Sequence, residues 1–300
     1  MVGFLYLVDT KNVVQVNRTH QMKKINICII NPESYSHSYA FLELAELIYF
    51  SLIDLGFEVR LIFNQIEHDI KNILIGCHLL DPSFIEKIPK TTVIVNTEQI
   101  YSDTTEWNKN IFAWATHFEV WDYSTRNIEK LRQIGAEKVK FLKIGYQKEL
   151  ARLKESKSKD IDVLFYGSVN ERRKKIITKL TANGLNVKTL FGVYGKERDT
   201  YIERSKVVLN HHFYNSHIFE IVRVFYLLTN AIAVVGEVND STSIDTMCRE
   251  GIYAAKYEDL VDGCIKLVKD DTYRQKIKNN AINSIMRFPQ KEFTREVIDY

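Results

Sequence analysis

The chain has 300 residues, 45% of them apolar and 26% charged, with 41 Lys plus Arg against 38 Asp plus Glu and a formal net charge of +3. At roughly 150 residues per domain this suits a globular protein of about two domains. The charge balance argues against nucleic acid as a partner, since its binders carry a clustered basic face, but it leaves room for a local basic pocket that takes a diphosphate.

The opening MVGFLYLV is apolar yet short, with no basic leader and no small-residue cleavage pattern. No apolar run reaches the ~20 residues of a membrane helix. A cytoplasmic location is expected, with room for peripheral association at a membrane surface. Residues 1–21 read as an N-terminal extension, because Met22-Lys23-Lys24 resembles a start placed directly before a strand. Cys28, Cys77, Cys248 and Cys264 form no CxxC pair, so buried free thiols in a reducing compartment are expected.

From Ile25 the chain alternates strands and helices. Ile25–Ile30 is a continuous apolar run, the pattern of a strand buried on both faces of a parallel sheet. A polar loop, NPESYSHS, leads to a helix from about Tyr39 to Leu55, stopped by Gly56. Strands follow at Glu58–Phe63, Asn72–Ile75, Thr92–Val95 and His117–Trp121, then a helix over Ser124–Gly135 with Ser124 as N-cap, then a strand at Val139–Leu142. Residues 151–160 (ARLKESKSKD) are charged and patternless, and read as a linker. The series restarts with a strand at Asp162–Tyr166, a loop Gly167–Asn170, a basic helix Glu171–Asn183 and a strand Val187–Phe191. A short helix over Thr200–Ser205, a strand Val207–Leu209, a helix Phe219–Thr229 and a strand Ile232–Val235 follow, and the remainder from about Leu260 is mostly helical, broken by Pro289. Such alternation predicts α/β architecture with parallel sheets. The expected organisation is an N-terminal Rossmann-like domain over 22–150, the linker 151–160, and a C-terminal Rossmann-like domain with closing helices over 161–300, the two facing a cleft. Ligands of such sheets sit beyond the carboxyl ends of the strands.

The loops at those ends carry the chemistry. Gly167-Ser168-Val169-Asn170 opens the helix holding Arg172 and Arg173; a glycine there admits a ligand to the backbone, free N–H groups of the helix start suit phosphate, and the forked guanidinium donors of the two arginines suit diphosphate oxygens. His211, His212 and Phe213 crowd the end of the strand VVL, and Glu220 and Arg223 share one face of the next helix. A carboxylate there accepts ribose hydroxyls, while the arginine holds phosphate. No GxGxxG and no GxxxxGK[ST] occurs, so neither a dinucleotide fingerprint nor an ATP loop is supported. Asp160-Ile161-Asp162 spells DxD but precedes its strand, no HExxH exists, and adjacent His211 and His212 point opposite ways in extended chain. No metal and no cofactor is expected.

The run LNHHFYNSHIFEIVRVFYLLTNAIAVVGE resembles the donor-binding segment of GT-B glycosyltransferases of the group one set. Residues 253–277, YAAKYEDLVDGCIKLVKDDTYRQKI, resemble the closing helices of such enzymes. The resemblance covers about 160–280 well and the first half more loosely. It implies that Glu220 binds the nucleotide ribose. The usual glycine before the last strand is replaced, with Asn230 and Ala231 in that region, and Glu237 is out of position for the second glutamate of an EX7E pair. In the first half, NPESYSHSYAFLELAELI resembles the acceptor-side loop and first helix of the same fold. His37 then lies where inverting members often place a general base, and an imidazole with a pKa near about 6.5 suits proton removal from a sugar hydroxyl. Tyr35, Glu43, Glu98, Gln99 and Tyr123 are expected on the acceptor side, Asp122 as a second catalytic candidate, and Ile144-Gly145-Tyr146 as the hinge between domains. The implied reaction is metal-independent transfer of a sugar from a nucleotide diphosphate sugar to a hydroxyl of a glycan or similar acceptor, with positive groups at Arg172, Arg223 and His211 or His212 expected to offset charge on the leaving diphosphate. The alternatives are a nucleotide-sugar epimerase or hydrolase of the same fold, and a non-catalytic sugar-nucleotide-binding protein.

Overall fold

A computed structural model describes residues 23–100, 106–214 and 217–299; the extension expected over 1–21 lies outside the described residues. Two parallel sheets follow one another along the chain. The first has six strands, β1 (Lys24–Ile29), β2 (Glu58–Phe63), β3 (Lys71–Ile75), β4 (Val93–Asn96), β5 (Glu119–Asp122) and β6 (Val139–Phe141), in the order β2-β1-β3-β4-β5-β6. Its helices are α1 (Leu42–Asp54), α2 (Glu106–Ala115) and α3 (Thr125–Gln133). The second has five strands, β7 (Ile161–Tyr166), β8 (Val187–Leu190), β9 (Ser205–Asn210), β10 (Val234–Glu237) and β11 (Tyr253–Ala255), in the order β11-β10-β9-β7-β8. Around it lie α4 (Glu171–Ala182), α5 (Gly195–Arg204), α6 (Ile221–Thr229), α7 (Thr246–Gly251), α8 (Leu260–Lys269) and α9 (Asp271–Met286).

Burial follows sequence. The central strands β1, β3 and β4 are apolar without alternation and buried along nearly their whole length, whereas the edge strand β2 (EVRLIF) keeps exposed positions. Gly56 ends the turn after α1 at φ +88°, a conformation that suits glycine. Ser124 and Asn170 cap α3 and α4 by accepting from the Asn127 and Arg173 amides. The four cysteines are free and buried.

Five elements differ from expectation. Residues 36–41 form a 3-10 helix before α1 begins, α5 starts at Gly195 rather than near Thr200, and α2, α7 and β11 lie where no element was expected. The last helix, α10 (Gln290–Val297), leaves the second sheet and packs on α1, where the Thr294 and Ser51 hydroxyls meet at 2.7 Å. Tyr146 and Pro289 pair as a parallel bridge, and the Gly145 amide donates to Gln290 Oε1 at 2.7 Å. A Cβ on Gly145 would lie 2.3 Å from the Phe288 carbonyl oxygen, so only glycine admits this close pairing of two chain segments.

In both sheets the strand order reverses beside the strand that comes first in sequence. In the first sheet β1 lies between β2 and β3; in the second, β7 lies between β8 and β9. Loops diverge at such a reversal and leave a crevice at the carboxyl edge. The segments after β1, β7 and β9 all border the cleft described next.

Candidate functional site

A cavity of about 400 Å³ separates the two halves, walled on one side by Tyr35, His37, Glu43, Glu98, Gln99 and Tyr123, and on the other by Gly167, Ser168, Phe213, Glu220 and Arg223. These sequence-derived candidates are thus brought together. Four others, Asp122, Arg172, His211 and His212, do not line it, and each absence has a physical reason.

Arg172 was expected on a diphosphate. Its guanidinium instead forms a two-pronged ion pair with fully buried Glu237 and lies 3.9 Å from the Tyr257 ring centroid. The neighbouring Arg173, expected beside it as a second forked donor, takes the place at the cavity. It is 3% exposed, lines the cleft, and donates to the Ser168 and His211 carbonyl oxygens. Helical phase decides this: consecutive residues lie about 100° apart, and the cap by Asn170 fixes which one turns inward.

His211 was expected to supply positive charge. It is fully buried, edge-on to Phe165 at 5.2 Å, and burial together with Arg173 pulls its pKa down to about 3, so it is neutral. His212 sits behind Glu220, its Nδ1 3.3 Å from the carboxylate. Burial alone would raise the Glu220 pKa, but the His212 hydrogen bond and the charges of Arg223 and Arg173 outweigh it and hold the carboxyl at about 2. Glu220 also accepts from Asn210 Nδ2 at 3.0 Å.

Arg223 and Arg173 converge on Gly167. A Cβ built there would lie 2.9 Å from Arg223 Nη2 and 3.7 Å from Arg173 Nη1. Burial and the nearby Arg223 charge bring the Arg173 pKa down to about 9. Arg223 donates to Asn210 Oδ1 at 3.3 Å and stands 5.3 Å from the Tyr166 ring, and no carboxylate lies within ion-pair distance of it among the described residues. Two guanidiniums meeting at a glycine-bordered cavity wall have the charge and the donors to hold an anion.

On the opposite wall, Asp122 is fully buried beneath the cleft rather than in it. Its oxygens accept from Asn96 Nδ2 at 2.6 Å, from Asn127 Nδ2 at 3.2 and 3.1 Å and from the Ser124 amide at 2.8 Å, while burial still pushes its pKa up to about 7. Glu43 is 3% exposed and ion-paired with Arg198 at 2.7 Å, which spends its charge on structure. His37 stands at the mouth, with Nδ1 2.5 Å from the Tyr194 hydroxyl and its ring 5.0 Å from Phe191. Gln99 Nε2 donates to the Ile218 carbonyl at 3.0 Å, bridging the halves. Glu98 keeps 22% of its side chain exposed, and burial drives its pKa up to about 7, only partly offset by the Thr97 hydroxyl. Asp160 and Asp162, the DxD pair, are held by Arg204 and Lys206. No group of three or more His, Cys, Asp or Glu is arranged to hold a metal ion among the described residues, and no helix among them is long and apolar enough to cross a membrane.

No protein-family profile matches the chain. By sequence it is similar to two proteins of Acanthamoeba polyphaga mimivirus. Uncharacterized protein L137 is 25% identical over 229 residues, covering 72% of this chain and 30% of that one, so the chain spans less than a third of L137's length. Uncharacterized protein L140 is 26% identical over 240 residues, 76% of this chain and 73% of that one. By structure it is similar to T4 phage BGT in complex with its UDP-glucose substrate, with TM-score 0.60, 12% identity, and 93% and 100% of the two chains covered. Anabaena Alr3699/HepE in complex with UDP-glucose gives TM-score 0.58, 12% identity, and 91% and 98% coverage. Sucrose-phosphate synthase from Thermosynechococcus elongatus gives 0.60, 11% identity, and 91% and 97% coverage. At such identities the likeness is one of fold. The chain has the GT-B architecture, two Rossmann-like units facing a cleft.

Proposed function

We propose that the chain is a glycosyltransferase that moves a sugar from a nucleotide diphosphate sugar to a hydroxyl of a glycan or similar acceptor, without a metal ion. The observation that carries this reading is the meeting of Arg173 and Arg223 at Gly167, with the ionised Glu220 on the same wall. A diphosphate against that wall satisfies two guanidiniums, and Glu220 accepts ribose hydroxyls. Alr3699/HepE and T4 phage BGT, which share the fold, were each solved with UDP-glucose, and fold likeness raises this reading without fixing it.

In this mechanism the two arginines offset the charge that grows on the departing diphosphate, the part a divalent cation plays in metal-dependent sites. The acceptor enters against the opposite wall, between Tyr35, Glu98, Gln99 and Tyr123. A panel of UDP-sugars, incubated with and without simple glycoside acceptors in the presence of EDTA, tests the reading. Acceptor-dependent release of UDP in the chelator is the expected result. Donor conversion that ignores the acceptor would indicate an epimerase or hydrolase, binding without product a non-catalytic protein, and activity restored only by magnesium or manganese would overturn metal independence.

A further inference from the structure

Three acidic or basic side chains at the carboxyl edge of the first sheet could take a proton from an acceptor, and the geometry separates them. Asp122 has no exposure and its oxygens are occupied by Asn96, Asn127 and the Ser124 amide. His37 is tied at Nδ1 to Tyr194 across the cleft mouth and covered on one face by Phe191. Glu98 lines the cavity with 22% of its side chain exposed, and its carboxylate accepts from the Thr97 hydroxyl at 3.3 Å.

The buried polar cluster beneath it holds the Glu98 backbone in place. Asn96 Nδ2 and Asn127 Nδ2 each donate to the Glu98 carbonyl oxygen at 2.9 Å, and the Glu98 amide donates to Asn96 Oδ1 at 3.2 Å. Both asparagines are in turn oriented by Asp122, and Asn127 Oδ1 accepts from the Ile100 amide at 2.9 Å. A buried carboxylate and two buried amides are thereby committed to one backbone position. This is the supporting shell a positioned side chain requires.

We propose that Glu98 takes the proton from the acceptor hydroxyl and that the sugar is transferred with inversion at its anomeric carbon. This rests on the glycosyltransferase reading above. Glu98 belongs to the wall opposite Arg173 and Arg223. A hydroxyl held by Glu98 therefore attacks from the side away from the diphosphate. The acceptor oxygen bonds to the anomeric carbon, the bond from that carbon to the β-phosphate oxygen breaks with its electron pair staying on the nucleoside diphosphate, and the hydroxyl proton passes to the Glu98 carboxylate. No covalent enzyme intermediate is formed.

The surroundings suit a base of raised strength. His78 lies 3.6 Å from Glu98, and burial pulls its pKa down to about 4, so it brings no charge. Tyr35, Cys77 and Tyr123, the other titratable groups facing Glu98 among the described residues, are all shifted upward by burial and by Glu98 itself, and stay neutral. Glu220, Arg173 and Arg223 face it only from the far wall. A carboxyl near 7 is matched to proton removal at neutral pH.

The test uses the full chain with the UDP-hexose and p-nitrophenyl glycoside pair that the wild type turns over fastest, read by product NMR, pH–rate profiles and UDP calorimetry. Glu98→Gln keeps the shape and the backbone bonds to Asn96 and Asn127, and a melting curve checks that it folds. Expected are an inverted product, an acid limb near 7 in the wild type that Glu98→Gln lacks, a fall in turnover of about 100-fold or more, and UDP affinity within a few-fold of wild type. A retained product, or a Glu98→Gln variant within a few-fold of wild-type turnover, overturns the proposal while leaving the transferase reading intact. Failure of the wild type to bind UDP or to turn over any pair overturns both.

Discussion

Glu43 on α1 and Arg198 on α5 form an ion pair at 2.7 Å in which both side chains are almost wholly buried, and it joins the two halves of the molecule at the wall of the cleft. Arg198 also donates to Asp199, whose other oxygen accepts from the Tyr226 hydroxyl at 2.9 Å. Arg152, next along, reaches Glu46 at 2.9 Å. Removing Glu43 leaves the buried Arg198 guanidinium with Asp199 as its remaining carboxylate. Glu43→Ala is expected to destabilise by about 1.5–3 kcal/mol, the scale of a lost hydrogen bond to a charged group, against less than about 0.5 kcal/mol for the exposed Glu258→Ala. Urea denaturation of both variants decides it; equal midpoints would mean the pair holds nothing.

Gly167, at φ +125°, is the backbone position where a side chain would run into both arginines. In Gly167→Ala the new methyl meets Arg223 Nη2, the movable end of a long side chain, so the guanidinium gives way rather than the fold. The expected result is a loss of UDP affinity of about tenfold or more, with a stability cost of about 1–3 kcal/mol from the backbone conformation. Calorimetry and thermal melting, run on the same preparation, separate the two effects.

Arg172 and Arg173 exchange the roles that their order suggests. Arg173→Ala is expected to weaken UDP binding. Arg172→Ala is expected to act mainly on stability, because it leaves the buried Glu237 carboxylate with only the His212 amide and Asn239 as partners. The reverse pattern, with Arg172→Ala abolishing binding in a stable protein, would contradict the assignment of the anion site.

Glu98 also makes a prediction for stability. Its folded pKa of about 7 stands above the ordinary 4.5, so the folded state binds more protons through that window and stability falls as pH rises from about 4.5 to 7. The penalty is absent below the window and complete above it. Glu98→Gln removes a group that resists ionisation, and its melting temperature relative to wild type should therefore rise between pH 5 and pH 8. A difference that does not change with pH would show that the carboxyl titrates normally.

Much of the fold was legible because the parallel strands are short apolar runs separated by polar loops: β1, β4 and β7 read directly from Ile25–Ile30, Thr92–Val95 and Asp162–Tyr166. The donor wall was legible for the same reason, since Gly167, Glu220 and Arg223 follow strand ends. What escaped depended on distance or phase. The sequence shows where α4 begins but not which side of it turns inward, and it is Arg173 whose guanidinium reaches the His211 carbonyl just beyond β9. The partners of Glu43 and Glu237 lie 155 and 65 residues away, and spacing along the chain carries no trace of them. Tyr194, which reaches His37 across the cleft mouth, precedes a helix whose start at Gly195 has no side-chain cap to announce it.

The central claim is that the cleft wall formed by Gly167, Arg173, Glu220 and Arg223 holds a nucleoside diphosphate. Calorimetric titration of UDP into the wild type, Arg223→Ala and Glu220→Ala, with uridine as a second ligand, tests it directly. UDP should bind the wild type clearly more tightly than uridine. Arg223→Ala should erase most of that difference by weakening UDP alone, and Glu220→Ala should weaken both ligands, with all three proteins melting cooperatively. Equal affinity for UDP and uridine in the wild type, or UDP affinity unchanged in both variants, would contradict it.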